Sequence, residues 1–178
     1  MFIIPGFIIA ILTFPGVIIH ELAHQLFCYI CGLKVYEVKY FQFKNPSGYV
    51  IHEASKNPAK TMLISMGPFI VNTLLGILIL TPVTIELFVF NDLGNPLYFV
   101  VLWLGISVLM HAFPSRQDGK VMVEQILNNS DVNIFIKILV APIILLVYIG
   151  AFGSMLWLDL VYAIGIAILI PQILPAFM

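Results

Sequence analysis

The sequence predicts an all-α integral membrane protein with about five transmembrane helices and one short β-hairpin. Of its 178 residues, 61% are hydrophobic and 10% are charged, whereas soluble domains carry roughly 25% charged residues. A helix needs about 20 apolar residues to cross a bilayer. Five runs without Asp, Glu, Lys or Arg are long enough: Met1–Ile19, Thr61–Ile85, Leu93–Ser115, Ile138–Leu158 and Leu160–Met178. With no polar stretch for a soluble domain, residues 1–178 are expected to form one membrane domain, a core over about 1–128 and accessory spans over about 132–178.

The first apolar run is expected to stay in the protein as a span. It has no basic segment before it and no small-residue cleavage site after it, so it does not resemble a signal peptide. Membrane helices tolerate proline, and a helix is predicted here despite Pro5 and Pro15. Pro15-Gly16 lies one turn before His20, where a kink is predicted to open space beside the histidine.

The basic residues predict how the chain is threaded. With five spans, all eight Lys and Arg residues fall on one side: Lys34, Lys39, Lys44, Lys56, Lys60, Arg116, Lys120 and Lys137. The other side holds only acidic residues, Glu86, Asp92 and Asp159. Because Lys and Arg collect on the cytoplasmic side, we expect a plasma-membrane protein of a prokaryotic cell, with its N-terminus outside and its C-terminus in the cytoplasm.

The connection after the first span predicts a β-hairpin at the cytoplasmic membrane surface. Residues 34–43 largely alternate between polar and apolar, Asn45-Pro46-Ser47-Gly48 is a turn signal, and Tyr49–His52 is rich in β-forming residues. The hairpin either caps the bundle or offers an edge strand to an extended peptide.

Three further polar features have ordinary structural explanations. Asn72 lies at membrane depth in the second span, where an interhelical hydrogen bond would satisfy it. Pro114 should end the third span, and Asp118 then begins an amphipathic segment as a helix N-cap would. Cys28 and Cys31 are interpreted as small apolar residues at a helix end, with palmitoylation or redox pairing as alternatives.

The segment His20-Glu21-Leu22-Ala23-His24 predicts a catalytic metal site. Histidines four residues apart share one face of a helix, so both imidazoles can reach one Zn²⁺ ion. Glu21 can serve as the general base for a zinc-activated water, which is the His-Glu-x-x-His arrangement of zinc proteases. A polar cluster that joins two helices is the structural alternative, although ionisable groups within spans usually indicate function.

A catalytic zinc ion takes three protein ligands and a water, so a third ligand is required. The candidates on the predicted cytoplasmic side are Asp118, His52 and His111, followed by Glu37 and Glu53 in the hairpin.

Three motifs together resemble the site-2 protease family of intramembrane zinc metalloproteases. They are His20–His24 in the first span, Gly67-Pro68 followed by Asn72 in the next, and a broken third span ending at Asp118-Gly119. The resemblance covers about residues 14–120. It implies zinc ligands at His20, His24 and Asp118, a catalytic acid/base at Glu21, and Asn72 placed to position substrate or stabilise the oxyanion. It also implies cleavage of a transmembrane segment that unwinds and pairs with an edge strand.

The chain departs from the family at two positions and lacks its appended regulatory domains, so it resembles a minimal member with two extra spans. The family commonly has Gly-Pro-x-x-Asn, and here Asn72 stands one residue later. His111 stands near the position of a family Asn and is a candidate replacement as hydrogen-bond donor in the oxyanion role.

The sequence therefore predicts an intramembrane zinc endopeptidase that acts near the cytoplasmic face. Its expected partners are the lipid bilayer and a substrate membrane helix, with no nucleic acid. A catalytically inactive relative that binds or regulates membrane helices is the main alternative, but a pure binder has no need of Glu21. A metal transporter or metal sensor is disfavoured, because the second, fourth and fifth spans lack further His, Asp or Glu.

Overall fold

The computed structural model describes residues 6–173, which are mostly helical with one two-stranded sheet. The predicted ends of the first and last runs, residues 1–5 and 174–178, lie outside the described residues. In chain order the elements are α1 Gly6–Leu12, α2 Phe14–Ile30, β1 Val35–Lys39, β2 Tyr49–His52, α3 Pro58–Phe88, α4 Pro96–Met110, α5 Arg116–Met122, a π-helical turn Val123–Leu127, α6 Ile134–Gly153, a 3₁₀ turn Ser154–Leu156 and α7 Leu158–Ile173.

Two helical segments are long and apolar enough to cross a membrane, α3 and the continuous stretch Ile134–Leu156. The pair α1 and α2 makes a third if a bent pair counts as one span. The helices α4 and α7 are apolar but have only 15 and 16 residues, about 23 Å of helix against a hydrocarbon core of about 30 Å. The described residues thus have membrane-type helices, but the prediction of five spans is not confirmed.

The first predicted span is two helices that meet at 93° instead of one kinked helix. The break falls at Thr13, whose backbone N–H and hydroxyl both bond to the carbonyl of Ile9 and close α1. Pro15 then lies in the first turn of α2, where its missing N–H costs nothing and its fixed φ favours a new helix. The predicted kink at Pro15-Gly16 is therefore a helix start just after a sharp bend.

The helix α3 is the centre of the fold and packs against α2, α4 and α7. Glycines let α3 and α4 approach closely, since a Cβ on Gly76 would lie 2.5 Å from the Leu109 side chain and one on Gly105 would lie 2.5 Å from Leu80. The apolar core at this contact also takes in Ala163 of α7. Small residues at the interface are typical of packed membrane helices.

A second apolar core joins α5 and the π-helical turn to α6. Met122 and Ile126 are fully buried in it against Val140, Ile144 and Val147. The accessory helices therefore complete both cores, with α6 supporting the segment that carries Asp118 and α7 packing on α3 and α4.

The predicted hairpin is confirmed as an antiparallel pair of β1 and β2 with one bulge between Val35 and Glu37. Its connecting loop folds back along α2. The Phe41 ring lies 5.8 Å from Phe14, which in turn lies 6.0 Å from Trp103 of α4. The hairpin thus reaches from the end of α2 back to its first turn, and its loop covers the face that carries Glu21.

Candidate metal centre

The two histidines of the His-Glu-x-x-His segment point to one place, as the helical spacing predicts. They lie one turn apart on α2, and their Nε2 atoms are 3.2 Å apart. His20 is 9% exposed and His24 is 8% exposed. Both imidazoles are thus inside the protein, with their Nε2 atoms converging on one point.

Asp118 completes the group from α5. Its Oδ1 lies 3.3 Å from Nε2 of His24, and the ligand atoms of His20, His24 and Asp118 all lie within 4.8 Å of one another. Of the third ligands considered from the sequence, Asp118 is the one that the fold brings to the histidine pair. These three side chains, the metal group, could hold a metal ion.

The local fold of α5 aims the Asp118 carboxylate. Ser115 is the N-cap of α5, and its hydroxyl accepts a hydrogen bond from the Asp118 backbone N–H. In return Oδ2 of Asp118 accepts from the Ser115 backbone N–H at 2.7 Å and from its hydroxyl at 2.6 Å. This capping box engages Oδ2 and leaves Oδ1 facing His24.

The outer nitrogen of each imidazole bonds to a backbone carbonyl. Nδ1 of His20 lies 2.7 Å from the oxygen of His111, and Nδ1 of His24 lies 3.0 Å from the oxygen of Ile64. A carbonyl only accepts, so each Nδ1 carries the proton and each Nε2 of a neutral ring presents its lone pair. Such outer-shell bonds are typical of metal-binding histidines because they fix the tautomer and orient the ring.

These atoms fit a small divalent cation. Two ligands about 2.0–2.1 Å from a tetrahedral ion are roughly 3.3 Å apart. The His20–His24 and His24–Asp118 separations are 3.2 and 3.3 Å, and the three ligand atoms all lie within 4.8 Å of one another. Two acceptor nitrogens and a carboxylate oxygen at such distances repel one another unless a cation or a proton lies among them. The donor set N, N, O therefore suits a metal ion with one position left for another ligand.

The charge state of Asp118 is suited to the same role. In the metal-free protein burial raises the pKa of the Asp118 carboxyl. The protonated form of the facing His24 imidazole and hydrogen bonds from His24 and Ser115 lower that pKa by more, so the net pKa lies well below the ordinary carboxyl value. Asp118 is thus ionised at neutral pH, as a metal ligand must be.

A cavity of about 920 Å³ opens beside the histidines and Asp118 and is also lined by Glu21. Glu21 follows His20 on α2 and is 8% exposed. The hairpin loop lies directly on it, since a Cβ on Gly48 would be 2.7 Å from Cγ of Glu21. One cavity therefore holds three metal-ligand candidates and an acid/base candidate.

No family model, curated protein or solved structure matches the chain. The resemblance to the site-2 protease family stays a prediction.

Asn72 lies behind the cavity and does not line it. It is fully buried, and its side-chain amide donates to the carbonyls of Gly16, Val108 and His111 at 3.1–3.2 Å. These bonds tie α3 to the first turn of α2 and the end of α4. Asn72 thus makes interhelical hydrogen bonds of the kind that the sequence predicts, while its substrate or oxyanion role stays a prediction.

The two other histidines line the cavity but are not in the metal group. Nε2 of His111 lies 2.8 Å from the Thr13 hydroxyl, and its backbone oxygen accepts from His20. Nδ1 of His52 bonds to the carbonyl of Glu53. His111 is therefore placed to orient the His20 imidazole through its backbone carbonyl, which the type of its side chain does not indicate in the sequence.

The two hairpin carboxylates bond within the hairpin. Glu37 accepts from the Tyr49 hydroxyl, and Glu53 lies 3.5 Å from the Lys34 backbone N–H. The two cysteines are buried and unbonded to each other, and they pack with Ile64 under the last turn of α2. Neither pair belongs to the group of His20, His24 and Asp118.

Several contributors to the site were not found from the sequence. Ser115 was detectable, because Ser-x-x-Asp is a capping-box pattern before a helix. No sequence pattern indicated the role of the Ile64 carbonyl or the close approach of Gly48, because both depend on contacts between distant segments. Asp159, which five-span threading places on the far side, lines the same cavity as Asp118.

Proposed function

We propose that this protein is an intramembrane zinc metalloendopeptidase. The observation that carries the proposal is the convergence of His20, His24 and Asp118 in one cavity with Glu21. A His-Glu-x-x-His helix with a carboxylate third ligand is a set of groups suited to hydrolysis of an amide bond. The apolar helices around the cavity favour a membrane protein as the substrate.

Zinc is the proposed ion because of the donor types and their spacing. Imidazole nitrogens favour Zn²⁺, Cu²⁺, Fe²⁺ and Ni²⁺ over Mg²⁺ and Ca²⁺. Separations of 3.2 and 3.3 Å between ligand atoms suit a tetrahedral arrangement. Three protein ligands leave one position open, which is the pattern of catalytic zinc sites.

Glu21 is the proposed acid/base. A bound zinc ion would lower the pKa of a water and polarise the scissile carbonyl. Glu21 would take the proton of the attacking water and pass it to the leaving amide nitrogen. Gly48 lies directly on Glu21, so the hairpin loop would have to move aside or be replaced by the substrate.

The chain itself would hold the reacting parts in place. The carbonyls of His111 and Ile64 fix the two imidazoles, and Ser115 fixes the Asp118 carboxylate. Because all three supports are backbone groups or a helix cap, the site is preorganised by the fold. The cavity is proposed to admit a substrate segment from the bilayer near the cytoplasmic face, which the clustering of basic residues supports.

An inactive relative that only binds membrane helices is the second candidate. It would need neither a general base nor ligand atoms at metal-binding distances. Glu21 beside the metal group is therefore the feature that favours the protease.

The deciding experiment uses purified protein in detergent or lipid nanodiscs. Bound zinc is counted by mass spectrometry, and cleavage of a labelled single-span substrate is compared between the parent and Glu21→Gln. The protease requires zinc in both proteins and cleavage only in the parent. Zinc without cleavage of any substrate in a membrane-helix library would favour the binder, and zinc flux into liposomes would favour a transporter.

A further inference from the structure

We propose that Arg116 binds a carboxylate side chain of the substrate, so that an acidic residue near the cleaved bond defines part of the substrate class. This inference rests on the proposed function, because it assigns a subsite of the same cavity. Arg116 is the first residue of α5, two residues before Asp118, and it lines the cavity.

The guanidinium group is held by apolar partners. Its central carbon lies 4.5 Å from the centroid of the Phe152 ring, and Nη2 contacts the sulfur of Met155. Stacking on an aromatic ring fixes the plane of the guanidinium group and leaves its edge N–H donors available. Arg116 is thus oriented by the end of α6 and the 3₁₀ turn that follows.

The charge of Arg116 has no acidic partner among residues 6–173. The ion pairs within 4.0 Å in this part of the chain are His24–Asp118 and Lys120–Glu124. The nearest acidic residue in sequence, Asp118, uses its two oxygens on His24 and Ser115. A planar guanidinium edge with free donors matches a carboxylate bidentately, which is the chemistry expected of a ligand here.

A peptide carboxylate is favoured over a lipid phosphate because of where Arg116 lies. It shares one cavity with Glu21 and His24, and the peptide must enter that cavity to be cleaved. Binding of a lipid headgroup would not require Arg116 to share a cavity with the metal group.

Binding to Glu21→Gln tests the inference without depending on cleavage. The probe is a fluorescent single-span peptide with Glu, Gln or Lys placed in turn at each residue of its cytoplasmic end. In neutral phosphatidylcholine nanodiscs, Glu at one position should bind about tenfold more tightly than Gln. Adding Arg116→Gln should abolish this preference, and adding Arg116→Glu should reverse it in favour of Lys.

Two matched variants separate recognition from general charge effects. Lys137→Gln removes one positive charge from α6 at a position that does not line the cavity, and it should leave the preference unchanged. Asp159→Asn removes a negative charge from the cavity wall and should not abolish the preference. Zinc content equal to the parent shows that each variant keeps the metal site.

Equal binding of the Glu, Gln and Lys peptides at every position would overturn the inference. So would Arg116-dependent binding of phosphatidylglycerol vesicles with no peptide preference, since that result assigns Arg116 to a lipid headgroup. A clear Arg116-dependent preference in a protein that cleaves no substrate would support the carboxylate site and reject the protease instead.

Discussion

Ser115 and Asp118 are joined by reciprocal hydrogen bonds across the first turn of α5, and the same Asp118 carboxylate faces His24. Oδ2 is engaged by the Ser115 hydroxyl at 2.6 Å, while Oδ1 lies 3.3 Å from Nε2 of His24. A helix cap therefore also orients a metal-ligand candidate, so the start of α5 and the geometry of the metal group depend on each other.

Replacing the cap should weaken metal binding without removing a ligand. Ser115→Ala loses the hydroxyl bonds at both ends of the capping box, and we expect zinc affinity to fall about tenfold or more and unfolding free energy by about 1 kcal/mol. Competition with a chromogenic chelator measures the affinity. Ser115→Thr keeps a hydroxyl and is the control, and unchanged affinity in Ser115→Ala would show that the carboxylate is held by other contacts.

Zinc should stabilise the fold through the three proposed ligands. A ligand that binds only the folded state adds about 2.7 kcal/mol at one hundred times its dissociation constant, so added Zn²⁺ should raise the thermal unfolding midpoint. His24→Ala and Asp118→Ala should abolish the rise. His52→Ala is the control because His52 bonds to Glu53 outside the metal group, and loss of the rise in this variant would move the third ligand to the hairpin.

The histidine pair was predictable because its geometry is local. Two residues four apart on a helix share a face whatever the rest of the fold does, and Nε2 of His20 and of His24 do converge. Asp118 could be offered only as one of several third ligands, since its approach to His24 depends on how α5 packs against α3 and α6.

The span count was harder to predict because hydropathy does not show where a helix bends or stops. The first run is uniformly apolar, yet it turns by 93° at Thr13, where Pro15 begins a new helix. The third run also lacks Asp, Glu, Lys and Arg, but Asn95 and His111 bound α4 to 15 residues. Hydrogen bonds at the helix ends determine where these helices stop. A hydropathy average over a window of residues carries no information about such bonds.

Asn72 is expected to be needed for stability. In Asn72→Ala the three carbonyls that its amide serves lose a donor, which should lower the free energy of unfolding by about 1–3 kcal/mol, as measured by thermal or denaturant unfolding. Ser107→Ala is a matched control. The hydroxyl of Ser107 is buried on neighbouring α4 with no partner among the described residues, so its loss should change stability by less than about 0.5 kcal/mol. Normal stability with lost cleavage in Asn72→Ala would instead favour the oxyanion role.

Acid should destabilise the metal-free protein through Asp118. His24 and Ser115 lower the folded-state pKa of Asp118 below that of the unfolded chain, and their effect outweighs the opposite effect of burial. The stabilisation is therefore present above the unfolded value of about 3.9 and is lost as the pH falls below it. With a chelator present, the unfolding temperature should fall more steeply between about pH 5 and pH 3 in the parent than in Asp118→Asn. Asp131→Asn, at an exposed loop residue, should follow the parent, and equal slopes in all three would contradict the assignment.

Gly16 should tolerate no side chain, because it sets the contact between α2 and α4. A Cβ there would lie 1.9 Å from the Ser107 carbonyl oxygen and 2.6 Å from the His111 ring, so Gly16→Ala must push the helices apart. We expect a loss of about 1–3 kcal/mol in unfolding free energy, together with weaker zinc binding, because His20 lies one turn further along α2 and bonds to the His111 carbonyl.

Gly165→Ala in α7 is the control. A Cβ there meets nothing within 4 Å, and alanine favours a helix over glycine by about 1 kcal/mol, so this variant should be at least as stable as the parent. Equal unfolding temperatures and zinc affinities for the two variants would show that α2 and α4 are not held together by this contact.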